Sequence, residues 1–186
     1  MTDAPEDRSV IVSSWSWRRQ PAVVATSLQA SGVIGGVGLV FLIGMFAAFA
    51  AGQQSLGMRL GWVNDVTGIV TLPLAVPAML VLHDRLRPTA GRASDALLVL
   101  AIGATIAIVV LQVLLVTRVL TFEEQIGPVS IAFLALAGWF VATGRLAARA
   151  DVLPHGTRLG VLAAAYVGYP LWAFRLARAL RTGDAG

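Results

Sequence analysis

The sequence predicts an all-α integral membrane protein, a helical bundle of about five transmembrane helices. Three observations predict it. Of the 186 residues, 57% are hydrophobic and only 13% are charged, where a soluble domain carries about 25% charge. The apolar residues come in five runs near the ~20 residues that a helix needs to cross hydrocarbon. Most of the arginines lie outside those runs. No Gly/Ser-rich or Pro-rich linker divides the chain internally, so one domain is expected.

Residues 1–20 read as a disordered or interfacial cytoplasmic leader. They start acidic (Asp3, Glu6, Asp7) and end in WSWRR, with Trp15 and Trp17 suited to the headgroup level. Pro21 marks a helix start, because its missing N–H is one that a first turn leaves free anyway. The spans expected after it are 28–51, 60–82, 96–117, 126–148 and 159–180, within a transmembrane domain of 21–182 and before a tail of 183–186. The first run is too long for a secretory signal, whose apolar core is about 7–15 residues. Arg18 and Arg19 are followed by Gln20 and Pro21, without the apolar continuation of a twin-arginine export signal. The first run is therefore read as a permanent anchor. In the last, LGVLAAAYVGYPLWAF is short, and Arg175 and Arg178 fall in its final turns. Arginine stems reach the interface from such a depth, so a crossing is expected, with an interfacial or re-entrant segment as the alternative.

Five crossings place Arg8, Arg18, Arg19, Arg85, Arg87, Arg92, Arg145, Arg149 and Arg158 on the side of the N-terminus. Arg59, Arg118 and the tail arginines fall on the other. By the positive-inside rule the N-terminus is cytoplasmic.

Within the spans, Gly32 and Gly36 form a small-xxx-small pair beside Ser31, Gly35 and Gly38. Small side chains let helix backbones approach, and packing within the chain is favoured over a dimer interface. Pro73 and Pro77 each remove an amide donor, which predicts a kink around residues 69–73. Thr67 and Thr71 are near enough to satisfy the carbonyls set free.

Asn64 and Asp65 stand inside the second apolar run. A carboxylate there is a site hypothesis by default, because an unpaired charge at the centre of a crossing helix costs about 2.5–3.5 kcal/mol. Five-crossing topology puts Asp65, Gln112, Arg118, Arg175, Glu123 and Glu124 in one leaflet. Asp65, Asn64, Gln112, Arg118 and Arg175 are therefore the candidates for binding a polar ligand or carrying a proton. The competing role for Asp65 is structural, an interhelical contact to Arg175 or Gln112 or an interaction with the helix start.

All fourteen basic residues are arginine and cysteine is absent. Lysine Schiff bases, thiolate nucleophiles and thiolate-ligated metals are thereby excluded. His83 and His155 lie in arginine-rich turns near Asp84 and Asp151. They are the only histidine candidates for a metal, and nothing in their spacing demands one. No nucleophile elbow, phosphate loop or H-E-x-x-H pattern occurs. No cofactor is expected, nucleic acid is not a partner, and an enzyme has no visible machinery.

Two stretches, GMRLGWVNDVTGIVTLPLAVPAMLVLHDRLRP and GRLAARADVLPHGTRLGVLAAAYVGYPLWAF, carry a resemblance. They are similar to a family of small bacterial multi-pass membrane proteins known only as a domain of unknown function. There a helix with an apolar-acidic start ends in a basic-Pro turn, and an L-P-x-x-x-x-x-G turn introduces the last span. About half the chain is covered, and members look six-spanned, one helix more than is read here. The resemblance implies a helical protein of the bacterial inner membrane and no activity.

The expectation is a non-enzymatic bundle that binds a small ligand, a lipid or a partner helix, with membrane lipids and a partner membrane protein or second copy as its company. The alternative is a transporter or channel subunit using Asp65 and the proline-kinked helix. A membrane enzyme acting on lipid is third.

Overall fold

The computed structural model describes residues 21–150. They form three helices: α1 (Pro21–Ala50), α2 (Gln54–Val116) and α3 (Phe122–Arg149). All three are long and apolar enough to cross a membrane, and no strand occurs among the described residues.

The α1 helix, 30 residues long, reaches about 45 Å at 1.5 Å per residue. It ends in a Schellman turn: Gly52, at φ 74°, donates to Phe49 O at 3.0 Å, and Gln53 N donates to Ala48 O at 2.8 Å. Those two bonds satisfy carbonyls that the helix end leaves open.

α2 has 63 residues and would extend about 95 Å if straight, three times the hydrocarbon thickness. It folds back on itself instead. Gly91 (φ 9°, ψ −97°) is the one interior residue outside helical φ/ψ. Across it Ser94 Oγ lies 3.2 Å from the backbone oxygen of His83. Farther along, the Gln112 amide presses on Gly68: a Cβ at Gly68 would stand 2.6 Å from its Nε2. A straight helix would put those two residues about 66 Å apart. The helix is an antiparallel hairpin.

This corrects the count of five separate helices. The expected runs 60–82 and 96–117 lie on the two arms of α2, helical segments that meet at the Gly91 kink, and 159–180 lies outside the described residues, as do the leader 1–20 and the tail. The arginine-rich stretch between the arms, HDRLRPTAGR, reads as a loop by its charge, but leucine, arginine and alanine are strong helix formers. It stays helical up to Gly91, the residue type with the greatest backbone freedom. Thr89 Oγ1 donates to Leu86 O at 3.1 Å just after Pro88, which has no N–H to give.

The prolines expected to kink the first arm, Pro73 and Pro77, keep helical φ/ψ. Nor do threonines repair the ladder. Thr67 Oγ1 donates back to Asn64 O at 2.7 Å, and Thr71 Oγ1 has no partner. α1 adds two donors to the same segment, Ser31 Oγ to Thr71 O and Ser27 Oγ to Leu74 O, each at 2.7 Å, while the carbonyls that Pro73 and Pro77 leave without an amide are those of Ile69 and Pro73. These bonds tie α1 along the proline segment.

The second turn is also a Schellman turn, with Arg118 N donating to Leu115 O at 2.9 Å and Val119 N to Leu114 O at 2.8 Å. Arg118 takes the left-handed position itself, at φ 61°. α3 then opens in a capping box: Glu124 N donates to Thr121 Oγ1 at 3.3 Å, and Thr121 N donates to Glu124 Oε2 at 2.8 Å. Glu124 serves the helix start and not a charged leaflet cluster.

α1 and α3 each pack on the α2 hairpin and not on each other. The core follows the hairpin through Leu28, Met79, Leu82, Leu86 and Ile108. Gly32 and Gly38 are on the buried face of α1, and Gly36 is half-buried. Val40, Val99, Ile131 and Leu134, each about 70% exposed, turn outward. A helix apolar on every side suits a solvent as oily as its core.

Candidate ligand cavity

Between α1, both arms of α2 and α3 lies a cavity of about 110 Å³. Its wall follows from helical spacing. Asn64, Thr67, Gly68, Thr71, Leu72, Ala75 and Met79 recur at three and four residues along the first arm, which puts them on one face. Gly35, Gly38, Leu39 and Leu42 face them from α1, Gln112 from the second arm, and Phe133, Leu136, Ala137 and Phe140 from α3.

Two glycines set the helix approach. At Gly68 the missing side chain admits the Gln112 amide, and at Gly38 it admits Thr67, whose Oγ1 would be 2.5 Å from a Cβ. The void itself is ringed by large apolar groups and by the polar atoms of Asn64, Thr67, Thr71 and Gln112. Among the described residues no charged side chain lines it.

Thr71 and Gln112 are 6% and 3% exposed. Their Thr71 Oγ1 and Gln112 Oε1 atoms are buried without a hydrogen-bond partner. An unsatisfied buried polar atom costs about 1–3 kcal/mol, and lipid offers no water to relieve it. A water needs roughly 10–15 Å³ of such space, while a dry engineered cavity of about 150 Å³ takes a benzene ring. The space beside Thr71 and Gln112 thus suits several waters or one small head group with a polar end.

Of the candidates read from the sequence, Asn64 and Gln112 meet at this cavity. Asp65 is half-buried and does not line it. Its carboxylate is hydrogen-bonded by the Asn64 side chain, and among the described residues no ion pair reaches it. Arg118 is exposed in its turn. Arg175 and His155 lie outside the described residues.

The first arm's other end places His83 differently from its sequence neighbours. Its Nδ1 is 2.9 Å from Ser94 Oγ, and its Nε2 is 3.5 Å from Asp95 Oδ1. Arg87 Nε is 3.4 Å from the same carboxylate oxygen. Among the described residues no group of three or more His, Cys, Asp or Glu side chains could hold a metal. Sequence reasoning missed Ser94 and Asp95, and it gave Thr71 a backbone role. The fold-back at Gly91 was the signal for the first two: it sets residues eleven apart face to face.

No protein-family model, curated protein or solved structure matches the chain. What the fold and cavity define is a class: a helical bundle whose three helices are long and apolar enough to cross a membrane, with a cavity lined by neutral polar and apolar side chains.

Proposed function

We propose that this protein is a non-enzymatic membrane bundle that holds a small neutral molecule, or the uncharged hydroxyl or amide head of a lipid, in the cavity beside Thr71 and Gln112. One observation carries the reading: two buried polar atoms without partners belong to residues on the wall of one void whose remaining wall is mostly apolar. A ligand hydroxyl or amide both donates and accepts, so it suits either orientation of the Gln112 amide. A charged head has no counter-charge among the described residues of that wall.

The setting we propose is a bacterial inner membrane, entered from a cytoplasmic N-terminus, with four crossings made by α1, the two arms of α2 and α3. The resemblance in 57–88 and 144–174 supports the membrane. Arginine placement supports the orientation: Arg85, Arg87, Arg92, Arg145 and Arg149 belong to the hairpin end, against Arg59 and Arg118 at the other. In this cysteine-free chain, a cysteine at Thr89 should react with a membrane-impermeant thiol reagent only from the cytoplasmic side.

The binding test is mass spectrometry of protein extracted in a mild detergent. A neutral lipid or small molecule should leave with the wild type and be absent from Thr71→Val/Gln112→Leu. Equal occupancy in both, or none in the wild type, refutes the reading.

A further inference from the structure

We propose that the hairpin of α2 carries a proton path, closed at Met79, that joins the cavity to His83. It stands on a second void and does not require an organic ligand, since water in the larger cavity is enough.

The second void, about 10 Å³ across a wall that includes Met79, His83, Ser94, Trp139 and Thr143, lies toward Gly91. Met79 lines both voids and is 2% exposed. Two more unpartnered buried hydroxyls lie in the bundle, Thr143 on the wall of the second void and Thr105 on the second arm of α2, lining neither void. The pairing that sets Gln112 beside Gly68 brings Thr105 level with Ala75. From Asn64 to His83 the arm rises about 28 Å, close to the ~30 Å of a bilayer's hydrocarbon.

His83 ends this line with its two nitrogens facing opposite ways. Nδ1 meets Ser94 Oγ, which is buried, and Nε2 meets Asp95 Oδ1, on a side chain 51% exposed. The groups around the imidazole are Ser94 and Asp95 from the second arm, Arg87 beside Asp95, and Trp139 and Thr143 from α3. α1 adds no residue to that void. The Ser94 hydroxyl, turning from the His83 backbone oxygen, passes its proton to Nδ1 as it takes one from a water, and this is matched by release of the Nε2 proton to Asp95 and bulk water. Only N–H and O–H bonds form and break, and the charge is unchanged at the end. The ring is left as its other tautomer, so a ring flip with reversal of the hydroxyls precedes the next passage.

Met79 closes the path because the second void holds one water at most. An unbranched thioether swings aside without breaking a hydrogen bond.

The test is proton flux into pyranine-loaded liposomes bearing the full chain, after a pH step with valinomycin present. Met79→Ala and Met79→Val are measured together, so that failure of one to fold leaves the other. We expect Met79→Ala to raise flux about tenfold, equivalent to ~1.4 kcal/mol of gating, and Met79→Val to raise it less. Adding His83→Gln, which keeps hydrogen-bonding groups toward Ser94 and Asp95, should return the flux to wild type with melting unchanged. Flux no greater than in protein-free liposomes for both Met79 variants overturns the path. So does undiminished flux in the double variant. Co-purified ligand is scored separately by mass spectrometry, so the cavity reading and the proton path can fail independently.

Discussion

Gln112→Leu separates a cavity that needs an occupant from a packing flaw of no consequence, because its effect changes sign with occupancy. In the empty protein the Gln112 Oε1 atom is buried with no partner, a state that costs about 1–3 kcal/mol. Leucine has similar bulk, carries no polar atom and fits against Gly68, where the amide now presses. Protein stripped of lipid by detergent exchange should therefore be more stable as Gln112→Leu, by about 1–2 kcal/mol, since part of the gain is lost to imperfect repacking. Protein kept in native lipid should show the opposite order. There the wild type gains its ligand bond, and a ligand at 100 times its dissociation constant adds about 2.7 kcal/mol. The assay is reversible unfolding in mixed micelles, followed by circular dichroism, on both preparations of both proteins. A variant less stable in both by the same amount would refute the reasoning, because Gln112 would then be satisfied inside the protein. Equal stability in all four would refute it as well.

Three further outcomes follow from contacts elsewhere in the bundle. Gly68→Val should push Gln112 from its seat, since even a Cβ would be 2.6 Å from its Nε2; overpacking of this kind costs about 1–3 kcal/mol, and unfolding in mixed micelles measures it. Ser27→Ala with Ser31→Ala removes both 2.7 Å bonds to the proline segment, at about 0.6 kcal/mol each in membrane bundles, and should also quicken hydrogen exchange at the adjoining amides of α1. Thr121→Ala breaks the capping box of α3 and should cost about 0.5–2 kcal/mol, read by the same unfolding assay.

Composition and run length made the helical membrane class legible, because a bilayer leaves a single chain few ways to satisfy its backbone. They did not make the helix ends legible. Apolar runs report where lipid touches the chain, while the helix carries on through His83, Arg85 and Arg87 because backbone hydrogen bonding is indifferent to side-chain charge. A boundary in hydropathy is thus not a boundary in structure, and Gly91 rather than the charged turn sets the fold-back.

The site was half legible for a related reason. Asn64 and Gln112 stood out because amides are scarce in apolar runs, and both reached the cavity. Asp65 drew more notice than either, as the sole carboxylate in those runs, yet one residue along a helix is a turn of about 100°, and that takes it off the lining face. Thr71 was passed over because a threonine in a membrane helix ordinarily bonds its own backbone. In this bundle its hydroxyl makes no such bond to a carbonyl of the preceding turn, and Ser31 reaches across from α1 to the Thr71 backbone oxygen and not to the hydroxyl. The contact from the other helix leaves the Thr71 hydroxyl without a partner, on a residue of the void's wall. That is a pairwise fact of the fold, which no local reading of either segment contains.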